Sequence, residues 1–306
     1  MFCLVGFILF GILGIFSATH RELAKEAGSC VFRRVTFRPC IVTFREKFKG
    51  MILSKLINRT PLLARIFNKY FELLSWIFIL LSILSIIWVG NSVWNYYAYG
   101  SCNGLNASGF CVFDPTGKNN QISAIGEECF AEAPKESGLS LKDVDLSLFP
   151  HTNVGAKNEI VFIGCYSCDY TREAYPIINN LLDKYSVDYV FIHFPVKTET
   201  NYLTAYGYCV QKEDEGKLRL FNDLIFSSEK SAIANSSFTD GIIQSLGLDV
   251  EEIRKCTESE EIKDRVFEML EETKQTSIYG TPTIFINGEA FVGPKPERVY
   301  KRALNK

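Results

Sequence analysis

EIVFIGCYSC, residues 159–168, is the stretch on which the fold turns. Its first six residues form a short apolar run with β-branched and aromatic side chains, the composition of a buried strand. Two cysteines follow, and from 168 to about 185 apolar residues recur at helical spacing. VDYVFIHF, residues 187–194, is then a second strand. Strand, CxxC, helix and strand make a βαβ unit, the context in which that cysteine spacing is a dithiol redox motif. Two intervening residues let both sulfurs meet across the first helical turn. Cys165 then faces the helix N-terminus, whose partial positive charge favours a thiolate. A thiolate attacks disulfides, whereas a thiol hardly does.

A CxxC can also be half of a zinc site or a structural disulfide. No second CxxC or His pair stands at ligand spacing in 98–306, where His151 and His193 are the only histidines, so no metal is expected. YGTPTIFING, residues 279–288, weighs toward redox chemistry. There 283–286 reads as a strand, Asn287-Gly288 as a hairpin turn, and 289–292 as the antiparallel return. A proline opening a strand gives up no ladder bond that it needed to donate.

With CYSC and GTPT both in place, the sequence resembles the DsbA-type thiol–disulfide oxidoreductases, here in a membrane-anchored form. The resemblance covers roughly 155–306, half of the chain. It implies an α/β, thioredoxin-like fold with a helical insertion, for which 199–276 is the matching stretch. By resemblance, Pro282 is a cis-proline beside the cysteines, and the Thr281 backbone pairs with a bound client strand. Cys209 and Cys256 fall in the insertion, where some relatives carry a structural disulfide; two buried free thiols are the alternative. Asp249 can cap a helix reaching Cys256, and a closing helix is expected over 296–303.

The sequence departs from the family between the cysteines. Strongly oxidising members carry a His there, whereas this chain has Tyr166-Ser167. Ser167 can offer a hydrogen bond but no charge, which points to a less oxidising couple unless Arg172, one turn on, compensates. His193, on the second strand, reads as a core histidine rather than a catalytic one.

Upstream, the chain looks unlike a soluble enzyme. Its formal charge of −2 conceals an asymmetry: residues 17–70 hold 12 basic and 3 acidic side chains, and 98–306 hold 21 basic against 31 acidic. A membrane crossing produces this pattern, because basic loops stay on the cytoplasmic side. LLSWIFILLSILSIIWV, residues 73–89, opens an uncharged stretch that runs from Glu72 to Asp114, and Trp88, Trp94, Tyr96, Tyr97 and Tyr99 crowd its far end. Length and aromatic belt predict a transmembrane helix over 73–97. Residues 1–18 are apolar but lack the basic start of a signal peptide, so a short transmembrane helix is expected, with an interfacial helix as the alternative. The basic loop 19–72 between them reads as a topology determinant rather than a nucleic-acid site, and its second half as an amphipathic helix near anionic headgroups.

Residues 98–157, rich in Gly, Asn, Ser and Pro, read as an exported linker, with the folded domain over 158–306. Cys102 and Cys111 are spaced to close a small loop; Cys129 has no evident mate, and Cys30 and Cys40 no assigned role. Asn106-Ala-Ser and Asn235-Ser-Ser match the glycosylation pattern. The expectation is a cell-membrane protein whose redox domain lies on the extracytoplasmic side. Cys165 is the expected nucleophile and Cys168 the resolving residue, with no cofactor. Exported Cys-containing proteins are the clients, and a quinone-linked membrane protein is the family-implied redox partner. A reductase or isomerase, and a non-catalytic client-binding module, are the alternatives.

Overall fold

The computed structural model describes residues 7, 11, 15, 18–36, 50, 53–54, 61–124, 138–152, 154–196 and 198–306. Cys3, Cys40, Cys129 and most of the first apolar segment lie outside the described residues. The chain divides into two units, Met1–Gly90 and Asn91–Lys306.

The basic loop expected at 19–72 is helical at both ends. Helix α1 spans Ala18–Val35, and α2 runs Pro61–Tyr99 with a break in helical geometry at Tyr70. The reason is local: THRELAKEA, residues 19–27, is built largely from good helix formers. Within α2, Trp76–Tyr99 is long and apolar enough to cross a membrane by length and composition, with a mean hydropathy of 2.1.

The second unit is built on a five-stranded sheet in the order β2-β4-β3-β6-β7. These strands are β2 (His151–Thr152), β3 (Asn158–Gly164), β4 (Val187–His193), β6 (Thr283–Ile286) and β7 (Glu289–Val292). Only β3 and β4 pair in parallel, as their connection through helix α3 (Asp169–Lys184) requires. The continuous apolar run of β3 has a physical cause: Ile160 and Phe162 enter one core, while Val161 and Ile163 enter another on the opposite face. A strand covered on both faces has no polar side to show.

Between β4 and β5 (Gly280–Thr281) lie five helices: α4 (Tyr202–Glu213), α5 (Leu218–Ser227), α6 (Ser236–Ser245), α7 (Val250–Glu258) and α8 (Glu260–Gln275). Leu203, Tyr206, Val210, Phe221, Ile225 and Ile243 join the same core as Ile160 and Phe162. Cys209 on α4 and Cys256 on α7 are joined by a disulfide. Asp249 caps α7 by accepting from the N–H groups of Glu251 and Glu252. Helix α9 (Glu297–Leu304) closes the chain, burying Val299 and Tyr300.

The linker reading of 98–157 fails for residues 98–124, which belong to the folded unit. Ser123 and Ala124 form β1, antiparallel to β5. Asn106 accepts from Val292 N–H and donates to the Ala290 carbonyl, both at 2.8 Å, so the first glycosylation pattern is occupied by structural bonds. Asn235 of the second caps α6. Asn119 donates to the Gly100 carbonyl and Asn120 to that of Ala107. The Lys295 ammonium, buried, donates to the Asn119 carbonyl at 2.7 Å and to Asn120 Oδ1. A disulfide joins Cys102 to Cys111. The Asn-rich composition that reads as flexible is spent on pairing backbone groups.

Candidate active site

Cys165 follows β3 directly, and Cys168 is the N-cap of α3. The turn is closed by Cys168 N–H donating to the Cys165 carbonyl at 3.1 Å, and α3 starts with Arg172 N–H donating to the Cys168 carbonyl at 3.0 Å. Gly164 is required just before it, since a Cβ there would stand 2.5 Å from Thr171 Cγ2. Thr171 turns its hydroxyl to accept from Cys165 N–H at 3.3 Å.

Both cysteines are free thiols, and both are buried. Ser167 Oγ lies 3.3 Å from Cys165 Sγ, and Thr281 Oγ1 donates to Cys168 Sγ at 3.5 Å. The two sulfurs are pushed apart in acidity. The hydrogen bond from Cys168 holds the Cys165 pKa well below the usual thiol range against the opposing effect of burial, with His193 and Ser167 adding to it. The same bond, together with burial, pushes Cys168 up. One sulfur is thus set to be the thiolate and the other its proton-bearing partner.

The Thr281–Pro282 peptide bond is cis. The backbone edge of Thr281 is already paired with Ser123, and Gly280 is needed for that approach, because a Cβ there would meet Ile122 Cδ1 at 2.6 Å and the Ser123 carbonyl oxygen at 2.9 Å. Ser123 also acts on the Cys168 sulfur by a side-chain hydrogen bond that lowers its pKa.

Between the cysteines, Ser167 serves the Cys165 sulfur and Tyr166 the core. Tyr166 is fully buried, packs at a tilt against the Phe191 and Phe226 rings, and donates to Asn222 Oδ1 at 2.6 Å. Arg172 still acts on Cys165 by charge, but its guanidinium is committed to backbone carbonyls. Its guanidinium donates to the carbonyls of Tyr166, Ile225, Phe226 and Ser228, three of them at the C-terminal end of α5, where a cation is favoured.

The structure therefore brings Cys165, Cys168, Thr281 and Pro282 together, while Cys209 and Cys256 sit apart in the helical insertion. Sequence reading missed Ser123 and Thr171, and it placed His193 in the core without its neighbour. His193 is in register with Gly164, a pairing that the sequence alone does not fix. A cleft of about 200 Å³ lined by His151, Asp188 and Tyr189 lies at the β2 edge and includes none of these groups. Among the described residues no His, Cys, Asp and Glu side chains gather as a metal site.

The family model described as thioredoxin matches residues 153–306, half of the chain, and the chain belongs to that family. It is similar to the "Probable disulfide bond formation protein D" of Bacillus anthracis, at 26% identity over 114 residues covering 35% of this chain and 52% of that one. The protein of the same description in Bacillus cereus is 25% identical over the same length. The match spans about half the length of these relatives. Among solved structures, the chain is similar to oxidised BdbD from Bacillus subtilis, with 17% identity, a TM-score of 0.45 and coverage of 53% of this chain and 96% of that one. The catalytic domain of Proteus mirabilis ScsC gives 18%, 0.46, 56% and 94%.

Proposed function

We propose that this chain is a membrane-tethered thiol–disulfide oxidoreductase that passes disulfides to exported client proteins. The observation that carries the reading is the pairing of a free Cys165 of lowered pKa with a free Cys168 of raised pKa, whose sulfur accepts from Thr281 Oγ1. In the oxidase direction a client thiolate attacks the sulfur of Cys165 in the Cys165–Cys168 disulfide. That S–S bond breaks, its electron pair goes to Cys168, and a mixed disulfide joins Cys165 to the client. A second client thiolate then attacks the client sulfur of the mixed disulfide, and Cys165 departs with the electron pair. The client gains a disulfide and the enzyme two electrons. A membrane redox partner, quinone-linked in the reading by resemblance, takes them away.

The segment Trp76–Tyr99 is the proposed tether and the acidic part after it the extracytoplasmic part, which would place the cysteines where disulfides persist. The same fold running in reverse is a reductase or isomerase, and a client-binding module would hold partners without turnover.

The test is equilibration of the full chain against glutathione buffers. A potential of about −120 to −180 mV is expected of a disulfide donor or isomerase, whereas about −270 mV would reverse the electron flow. Cys165→Ser should abolish exchange, and Cys168→Ser should trap the mixed disulfide. A wild-type chain that never exchanges leaves only the binding module.

A further inference from the structure

The dipeptide between the cysteines brings no charged or imidazole group to Cys165, but the neighbouring strand does. His193 ends β4 in parallel register with Gly164, the residue before Cys165. Its side chain is buried, and its ring lies 4.5 Å from that of Tyr166. Nδ1 is held 2.8 Å from Thr204 Oγ1 on α4. Nε2 is buried and makes no hydrogen bond by geometry, although the Cys165 thiol is near enough for each group to shift the other's acidity. An unpaired buried polar atom is costly and calls for an explanation. The adjacent group whose demand for a hydrogen bond changes during the proposed reaction is the Cys165 sulfur.

We infer that His193 is a positioning residue for Cys165, its Nε2–H kept ready for the sulfur when that sulfur is released as a thiolate. The inference rests on the oxidoreductase reading. In a disulfide the Cys165 sulfur is a weak acceptor; as a departing thiolate it is a strong one, so the bond forms where the charge develops. Thr204 fixes the ring by donating its hydroxyl hydrogen to Nδ1, which leaves the proton on Nε2. The ring donates a hydrogen bond and keeps its proton. No proton transfer is needed, since the electron pair of the broken S–S bond ends on Cys165.

Burial holds the His193 pKa below the ordinary value, against the raising effect of Cys165, and so keeps the ring neutral. The titratable groups facing it are Cys165 and Tyr166 on the turn; α4 presents the neutral Thr204. Arg172 acts on Cys165 by charge, but its guanidinium is tied to carbonyls.

The test uses the reduced full chain, with the Cys165 thiolate titrated by its absorbance near 240 nm, alongside the glutathione equilibrium. His193→Leu removes the donor and is expected to raise the thiolate midpoint by about one pH unit, a tenfold loss. The couple becomes about tenfold less oxidising, or about 30 mV more negative. Thr204→Val, close in shape, should shift both readouts the same way by less, and His193→Gln should recover part of the loss. If His193→Leu does not fold, Thr204→Val decides. A folded variant with wild-type midpoint and potential overturns the inference. If the wild type titrates normally yet never exchanges, the oxidoreductase reading falls, and the thiolate midpoints still judge His193.

Discussion

The sheet and the segment before it, residues 98–124, belong to one folded unit but are assembled by different forces. The strands β3, β4 and β6 bury Ile160, Phe162, Phe191 and Ile284 almost completely, and their cohesion is apolar burial, roughly in proportion to area. Beyond the β1–β5 pairing and the packing of Leu105 on the core, the segment is fastened by single polar contacts. Asn106 bonds to β7, Asn119 and Asn120 bond to backbone carbonyls, and Lys295 reaches across to both asparagines. Burial is non-directional and tolerant of detail, whereas a side-chain bond to a buried backbone group is lost whole when one atom is removed. Two parts of one domain can therefore fail separately.

The largest effect that would test this contrast comes from the sheet. Phe162→Ala should cost about 3–5 kcal/mol in urea unfolding of the full chain, because the ring is fully buried against Tyr175 and Phe191. A smaller and more local loss is expected of Asn106→Ala. It strands the Val292 N–H and the Ala290 carbonyl for about 1–3 kcal/mol. Faster amide exchange should appear across 98–124 and β7 while β3 and β4 keep their protection. Equal loss of protection in all of them would erase the distinction between the two regions.

The smallest effect is a pH dependence. Burial pushes the Lys295 ammonium down to about 7, partly opposed by Asp114. In the unfolded chain a lysine titrates near about 10.4, so above pH 7 the unfolded state binds more protons than the folded one. The penalty for burying the charge is complete below pH 7 and is relieved as pH rises from there. Stability should thus rise between pH 7 and 8, by no more than about 1.4 kcal/mol for one group. Lys295→Met should flatten that part of the profile, and a wild-type slope that survives the substitution would assign it to another group.

The same contrast explains what could be read from the sequence. The runs at 159–164, 187–193 and 283–286 were legible because each is mostly apolar and bounded by turn or helix signals, so strand identity is written locally. The helical insertion was expected from the resemblance to the family. Residues 98–124 were not, since Asn106 meets its partners more than 180 positions away and nothing in GLNASG announces them. The cysteine pair is recognisable from a spacing of two, and Pro282 from its tetrapeptide. Ser123 and His193 reach the cysteines only through strand pairing and register, which one sequence leaves open.

The pairing of Ser123 with Thr281 also bears on how clients would be measured. In the proposed reaction a client strand needs the backbone edge that the chain's own residues already occupy, so it meets a tethered competitor whose local concentration never falls. Its apparent dissociation constant is the intrinsic one divided by the fraction of molecules with a vacant edge. A vacancy of about 1% would weaken every client by about a hundredfold while leaving their ranking untouched. Client preference and client affinity would then be controlled by different residues.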